Sequence, residues 1–253
     1  SPAAAAALAF TTQPSAVIAG VAIAPAVKVV AHDTFGNLVP GASIVLAMTG
    51  SGTLSGTASV TTDSTGVASF SALSVNLIGS KTLTATSGLI TATSDAFTVS
   101  HAAAASLAFT TQPSAVVAGV AMAPAVTVVA HDAFGNIVPG VSLALTMTGT
   151  GTLTGGASVT TDSSGAASYD ALSADLVGSK TLTATSGLLT ATSNAFTVSP
   201  AAAASLAFTT QPSAVVAGVA IAPAVTVVAH DAFGNPVPGV TLELSMTGTG
   251  TLS

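Results

Sequence analysis

The chain has 253 residues, with 3 Lys plus Arg against 9 Asp plus Glu, a formal charge of -6 and no cysteine. Nucleic-acid binding needs cationic groups to displace counterions from phosphate, and so few exclude it; the same deficit excludes docking on anionic lipid through a basic patch. A hydrophobic content of 49% excludes disorder, and no apolar run reaches the roughly 18 residues of a membrane-spanning segment.

The chain repeats itself. LAFTTQPSAV starts at Leu8, Leu107 and Leu206, and Phe10, Phe109 and Phe208 fix the period at 99 residues. That is the size of an independent domain and too long for a solenoid unit. The expected organisation is residues 1–100, residues 101–199 and an incomplete copy at 200–253, which as written lacks the second half of its core. No secretory signal is visible, and Ser1-Pro2 with the following alanine run reads as a repeat boundary, so any signal would lie upstream.

In chain order, the first copy reads as short strands between turns. Leu8, Phe10 and Thr12 alternate with Ala9 and Thr11, and Gln13-Pro14-Ser15 ends that strand because proline removes a donor. The run Ala3–Ala7, like Ala102–Ala105 and Ala201–Ala204, is too short for a stable helix and is expected as an extended linker that restricts bending between copies. Within PAVKVVA, Val27 and Val29 share one face and Lys28 the other; Lys28 becomes Thr127 and Thr226 later, which places it toward solvent.

His32-Asp33-Thr34-Phe35-Gly36-Asn37 is a turn, with Asp and Asn able to bond local backbone and Gly allowing positive φ. Ile44, Leu46 and Met48 alternate with Val45 and Ala47. A strand over Ala58–Thr62, the turn Asp63-Ser64-Thr65-Gly66 and a strand from Val67 to Leu73 read as a hairpin. Leu83 and Ala85 lie in another strand, Ser87-Gly88 turns the chain, and Phe97 and Val99 face the core. Turns every 8–12 residues or so favour an antiparallel sandwich. The fold class is all-β: tandem immunoglobulin-like antiparallel β-sandwiches. The expected cores hold Phe10, Val27, Val29, Leu46, Phe70, Leu83, Phe97 and Val99, then Phe109, Tyr169, Leu182, Phe196 and Val198.

These motifs resemble bacterial immunoglobulin-like domains of the invasin and intimin type. Thr62, Asp63, Gly66, Ala68 and Phe70 follow that family's TxDxxGxAxF element, which recurs at Thr161, Asp162, Gly165, Ala167 and Tyr169. Asp33, Gly36, Asn37 and Val39 follow its second segment, as do Asp132, Gly135, Asn136 and Val138, and Asp231, Gly234, Asn235 and Val237. The resemblance implies an extracellular or cell-surface setting and a stalk, spacer, filament or adhesive role, with no catalytic site to carry over.

Candidate chemistry is sparse. His32, His131 and His230 each sit beside an aspartate, but zinc needs three or four converging ligands, so they read as turn histidines; His101 lies in a linker. Asp33, Asn37 and Asp63 offer oxygens to calcium, which takes about 6–8, and Asx-turn chemistry explains them better. No G-x-S-x-G elbow occurs, and Glu243 is the only glutamate, so paired-carboxylate chemistry has no partners. Lys81 and Lys180, with Asn76 and Asp175, have the residue types of an isopeptide crosslink, but that bond needs an apolar pocket and a nearby acid, which the sequence does not show, so they read as solvated strand lysines. No catalytic, cofactor or metal residue is assigned, no cofactor is expected, and the chain is read as a non-enzyme. The expected partners are copies of the same protein or a surface matrix. The competing reading is an adhesin for a host protein or glycan, and a further one is acceptance of strands from another subunit by the incomplete copy.

Overall fold

In the computed structural model the described residues are 3–249; Ser1-Pro2, assigned to a repeat boundary, lies outside them, as do the last residues of the third copy. The fold is all-β, made of small and mostly antiparallel sheets that resemble immunoglobulin-like sandwich domains. The chain forms two compact units: residues 1–107 with 129–141 and 161–165, and residues 108–128 with 142–160 and 166–253.

In the first unit, β1 (Ala7–Thr12), β3 (Val27–His32) and β7 (Val67–Phe70) make one antiparallel sheet in the order β1-β3-β7. The opposing sheet contains β2 (Val17–Ile18), β4 (Ser43–Thr49), β6 (Ser59–Thr61), β9 (Gly79–Ser87), β10 (Ile90–Thr93) and β11 (Phe97–Ser100). Its order is β2-β11-β9-β4-β6, with β10 also on β9 and the short β2–β11 pair parallel. β5 (Leu54–Ser55) and β8 (Ser74–Val75) form a separate ribbon. Alternation along the strands sends Val27, Val29, Ala68 and Phe70 inward from one sheet and Ile44, Leu46, Leu83, Ala85, Phe97 and Val99 from the other, into one cluster. Phe10 packs at its margin, half-buried, and Lys28 is exposed.

The expected β6–β7 hairpin does not form: β6 pairs with β4 and β7 with β3, so the chain crosses between sheets. Thr62 causes the crossing. It is buried, its hydroxyl donates to the Val39 carbonyl at 2.8 Å, and the Ala42 amide donates to it at 2.8 Å. Asp63 then closes a tight corner, accepting from the Thr65 and Val67 amides at 2.8 and 3.2 Å. The TxDxxG element is therefore a sheet-to-sheet corner.

Lys81 and Lys180 are not solvated. Each is only 3% exposed, because each has the inward parity of its strand, two residues before buried Leu83 and Leu182. The Lys81 ammonium donates to the Ile78 carbonyl at 3.2 Å and to Ser51 Oγ at 3.3 Å, and Lys180 bonds Thr150. Asn76 and Asp175 do other work, each accepting from a loop amide, Thr53 or Thr152, at 2.7 Å.

In the second unit, Val116–Val117, Phe196–Ser199 and Gly178–Lys180 pair in that order, as do Val159–Thr160, Ser142–Met147, Leu182–Ser186 and Leu189–Thr192. These repeat the first copy's pairings. Tyr169 is buried, and its hydroxyl donates to the Leu143 carbonyl at 2.7 Å, which gives the polar end of a core aromatic a partner. Ser205–Thr210 pairs with Thr226–His230 in the third copy. The alanine runs carry no helix. No helix among the described residues is long and apolar enough to cross a membrane.

Candidate functional site

The structure gathers its unusual polar groups at the HDxFGN turn. In the first copy the Asp33 amide donates to the Asn37 carbonyl at 2.9 Å, and Gly36, at φ +83°, returns its own amide to the Asp33 carbonyl. The Asp33 carboxylate accepts from the Phe35 and Asn37 amides, both at 2.9 Å, from the Asn37 side chain and from the linker amide of Ala3 at 3.1 Å. His32 Nδ1 lies 3.2 Å from the Gly36 carbonyl. The carboxylate is saturated with N–H donors. The Asn37 side-chain bond, helped by the three amides and opposed by desolvation, lowers its pKa to about 2. This is Asx-turn chemistry. Among the described residues no group of three or more His, Cys, Asp or Glu could hold a metal ion.

The same turn in the second copy has a neighbour, and both lie in the first unit. Asp132 repeats the pattern, accepting from Phe134 and Asn136 amides at 2.9 Å and from the linker amide of Ala102 at 3.0 Å. Burial pushes its carboxyl up, but these bonds and the Asn136 side chain outweigh it, and the net shift is downward. Asn136 also reaches the first copy. Its Oδ1 accepts from the Ile78 amide at 3.1 Å and its Nδ2 donates to the Asn76 carbonyl at 2.8 Å. The Phe134 ring lies against Gly20, where an added Cβ would come 2.2 Å from Cζ. Gly20 sits at φ +76° and holds its place by donating to the Val75 carbonyl. Only glycine meets both the φ and the clearance.

Within the second unit the arrangement recurs one period later. Asn235 Oδ1 accepts from the Val177 amide at 3.0 Å, and Nδ2 donates to the Asp175 carbonyl at 2.8 Å. Phe233 lies on Gly119, with Cζ at 2.3 Å from an added Cβ. Asp231 accepts from the Ala201 linker amide at 2.9 Å. Desolvation opposes its ionisation, but the Asn235 bond and the amides prevail and hold its pKa at about 2. Asp132 and Asp231 thus each tie linker, turn and, through the neighbouring asparagine, the preceding copy.

Sequence reading located the turns but not the joints. The turn chemistry of Asp33, Asn37 and His32 was legible; the partnership of Asn136 with residues 60 positions earlier was not. The available signal was Phe35, Phe134 and Phe233, an aromatic at the tip of a polar turn where no core requires one. Such an arrangement recognises a surface through one ring and two directional hydrogen bonds.

No family model and no curated protein matches the chain. Among solved structures, the Escherichia coli adhesin FdeC is similar over 92% of this chain and 75% of its own, at 22% identity and a TM-score of 0.52. The Yersinia pseudotuberculosis adhesin InvE aligns at 17% identity over 76% of this chain and 58% of its own, with a TM-score of 0.36. Domains 4-9 of the surface layer protein SbsC align at 18% identity over 83% and 34%, with a TM-score of 0.30. The FdeC likeness bears on the fold, and agrees with the immunoglobulin-like resemblance of the sheets.

Proposed function

We propose that this chain is a structural repeat region of an extracellular bacterial surface protein, a component of a stalk, filament or sheath. It acts without catalysis or cofactor through tandem immunoglobulin-like copies at 1–100, 101–199 and 200–253. One observation carries the reading: two successive joints are built alike, Phe134 on Gly20 with Asn136 bonded to Asn76 and Ile78, and Phe233 on Gly119 with Asn235 bonded to Asp175 and Val177. A repeated, directional joint fixes each copy against the last, which a spacing element requires and a catalyst does not. The near-absence of surface charge favours lateral association with copies of itself. The likeness to FdeC, an adhesin by name, supports the location.

Electron microscopy of the native assembly tests this reading. Fibres, layers or stalks with an axial repeat set by one copy support it, and dispersed particles from the full-length protein would overturn it. The adhesin reading has its own observation: Leu89 and Leu188 stand fully exposed at equivalent hairpin tips, one per complete copy. Binding of a host protein or glycan lost on L89A/L188A would favour it.

A further inference from the structure

The first HDxFGN turn is built like the other two but has no seat among the described residues. Phe35 is 83% exposed, whereas Phe134 and Phe233 are each 43% exposed against their glycines. Asn37 is exposed where Asn136 and Asn235 are buried. Its side chain bonds Asp33, as Asn136 bonds Asp132, but among the described residues neither of its polar atoms is engaged by a backbone group of another copy as those of Asn136 are. The Phe amide lies 2.9 Å from its aspartate in all three turns, so the free turn already holds the docked geometry. Little ordering remains to oppose binding.

We propose that the Phe35–Asn37 turn is a docking face for a further copy of this same repeat. That copy presents a glycine of the Gly20 type beneath the ring, a carbonyl of the Asn76 type to Asn37 Nδ2 and an amide of the Ile78 type to Asn37 Oδ1. Two seated turns define the occupant's chemistry: a flat glycine surface flanked by one acceptor and one donor, all backbone. Because recognition runs through backbone groups, the change from Asn76 to Asp175 does not alter it, as the two joints show. The inference rests on reading the copies as a stacking array.

Mixing two whole-chain forms tests it. The donor is the isotope-labelled unmodified chain. The acceptor is F35A/F233A/N235A, which removes its own free knob and opens the Gly119–Asp175–Val177 seat. A second acceptor, F35A/F134A/N136A, opens the Gly20–Asn76–Ile78 seat, so that failure of one variant to fold does not decide the result. Joined modules experience effective concentrations on the order of millimolar, so acceptor at about that level should shift the Gly36 and Asn37 amides and the Asn37 side-chain NH2 of the donor. F35A in the donor should weaken binding by at least about tenfold. The proposal is overturned by no shift with either folded acceptor, or by equal shifts with an F35A donor or with unmodified chain as acceptor. Protection of the Ile78 amide in the donor is read in the same samples. If it is intact while docking fails, the array stands and only the free face is wrong; if it is lost, the array reading itself fails.

Discussion

The third copy contains two regions that behave oppositely. Its strands are open: Leu206 is 58% exposed where its equivalent Leu8 is 9%, since no second sheet covers Ser205–Thr210 and Thr226–His230 among the described residues. Its HDAFGN turn is closed, with Asp231 and Asn235 each 3% exposed, as deeply buried as Asp132 and Asn136. The turn therefore gains its burial from the preceding copy and its own linker, through Asp175, Val177 and Ala201. A copy's core and its joint are separable.

The largest test of that separation lies in the core. Phe97→Ala should cost about 3–5 kcal/mol in chemical unfolding of the first copy, while the exposed Leu206→Ala should cost under about 0.5 kcal/mol; comparable losses would mean that the two cores are not so different. Next, Thr62→Val should cost about 1–3 kcal/mol by leaving the Val39 carbonyl and Ala42 amide unpaired at the corner. Such a loss should destabilise the first copy without changing hydrogen exchange at Val177.

Two glycines separate the joint from backbone strain. Gly20 and Gly218 have nearly equal φ, +76° and +78°, but only Gly20 has an aromatic ring above it. Alanine at either position should bring the same left-handed strain of about 1–2 kcal/mol. Only Gly20→Ala should also speed exchange of the Ile78 amide by displacing Phe134 and, with it, Asn136. Equal behaviour of the two variants would show that Phe134 contributes nothing to the seat.

Acid should act on the turns before the cores. Asp33 and Asp231 have folded pKa values near 2, below the ordinary 3.8. Their stabilising contribution is complete above the ordinary value and declines as pH falls through about 2. Turn amides at Phe35 and Phe233 should lose protection across that window while Leu83 and Leu182 in the cores retain theirs. The Asp33→Asn variant should flatten the response at Phe35 alone. The smallest effect belongs to Phe35→Ala, expected within about 0.5 kcal/mol of the unmodified chain because its ring is exposed.

Much of this was legible along the chain. Strict alternation identified Val27, Val29, Leu46, Leu83 and Val99 as inward, because a half-buried strand leaves that trace at every second residue. The Asp-Asn-Gly chemistry of the turn was legible because its bonds are local. Lys81 shows where residue type misleads: a charged side chain suggests solvent, yet its parity with Leu83 and Ala85 already pointed inward, and parity prevailed. The hairpin reading at Asp63 failed for a different reason. The local turn is correct, but Thr62 commits its strand to Val39 and Ala42, a long-range bond that spacing does not reveal. The joint was hidden in the same way: Asn136 meets Asn76 and Ile78 only after both copies have folded.

Hydrogen exchange at the Ile78 and Val177 amides is the most direct measurement of the joint, since each is bonded by the side chain of an asparagine in the following copy. Both should exchange slowly in the intact chain, and Asn136→Ala should release Ile78 while leaving Val177 protected. Rapid exchange at both amides in the unmodified chain, with core amides such as Leu83 still protected, would contradict a built joint and leave the copies as independent domains on a string.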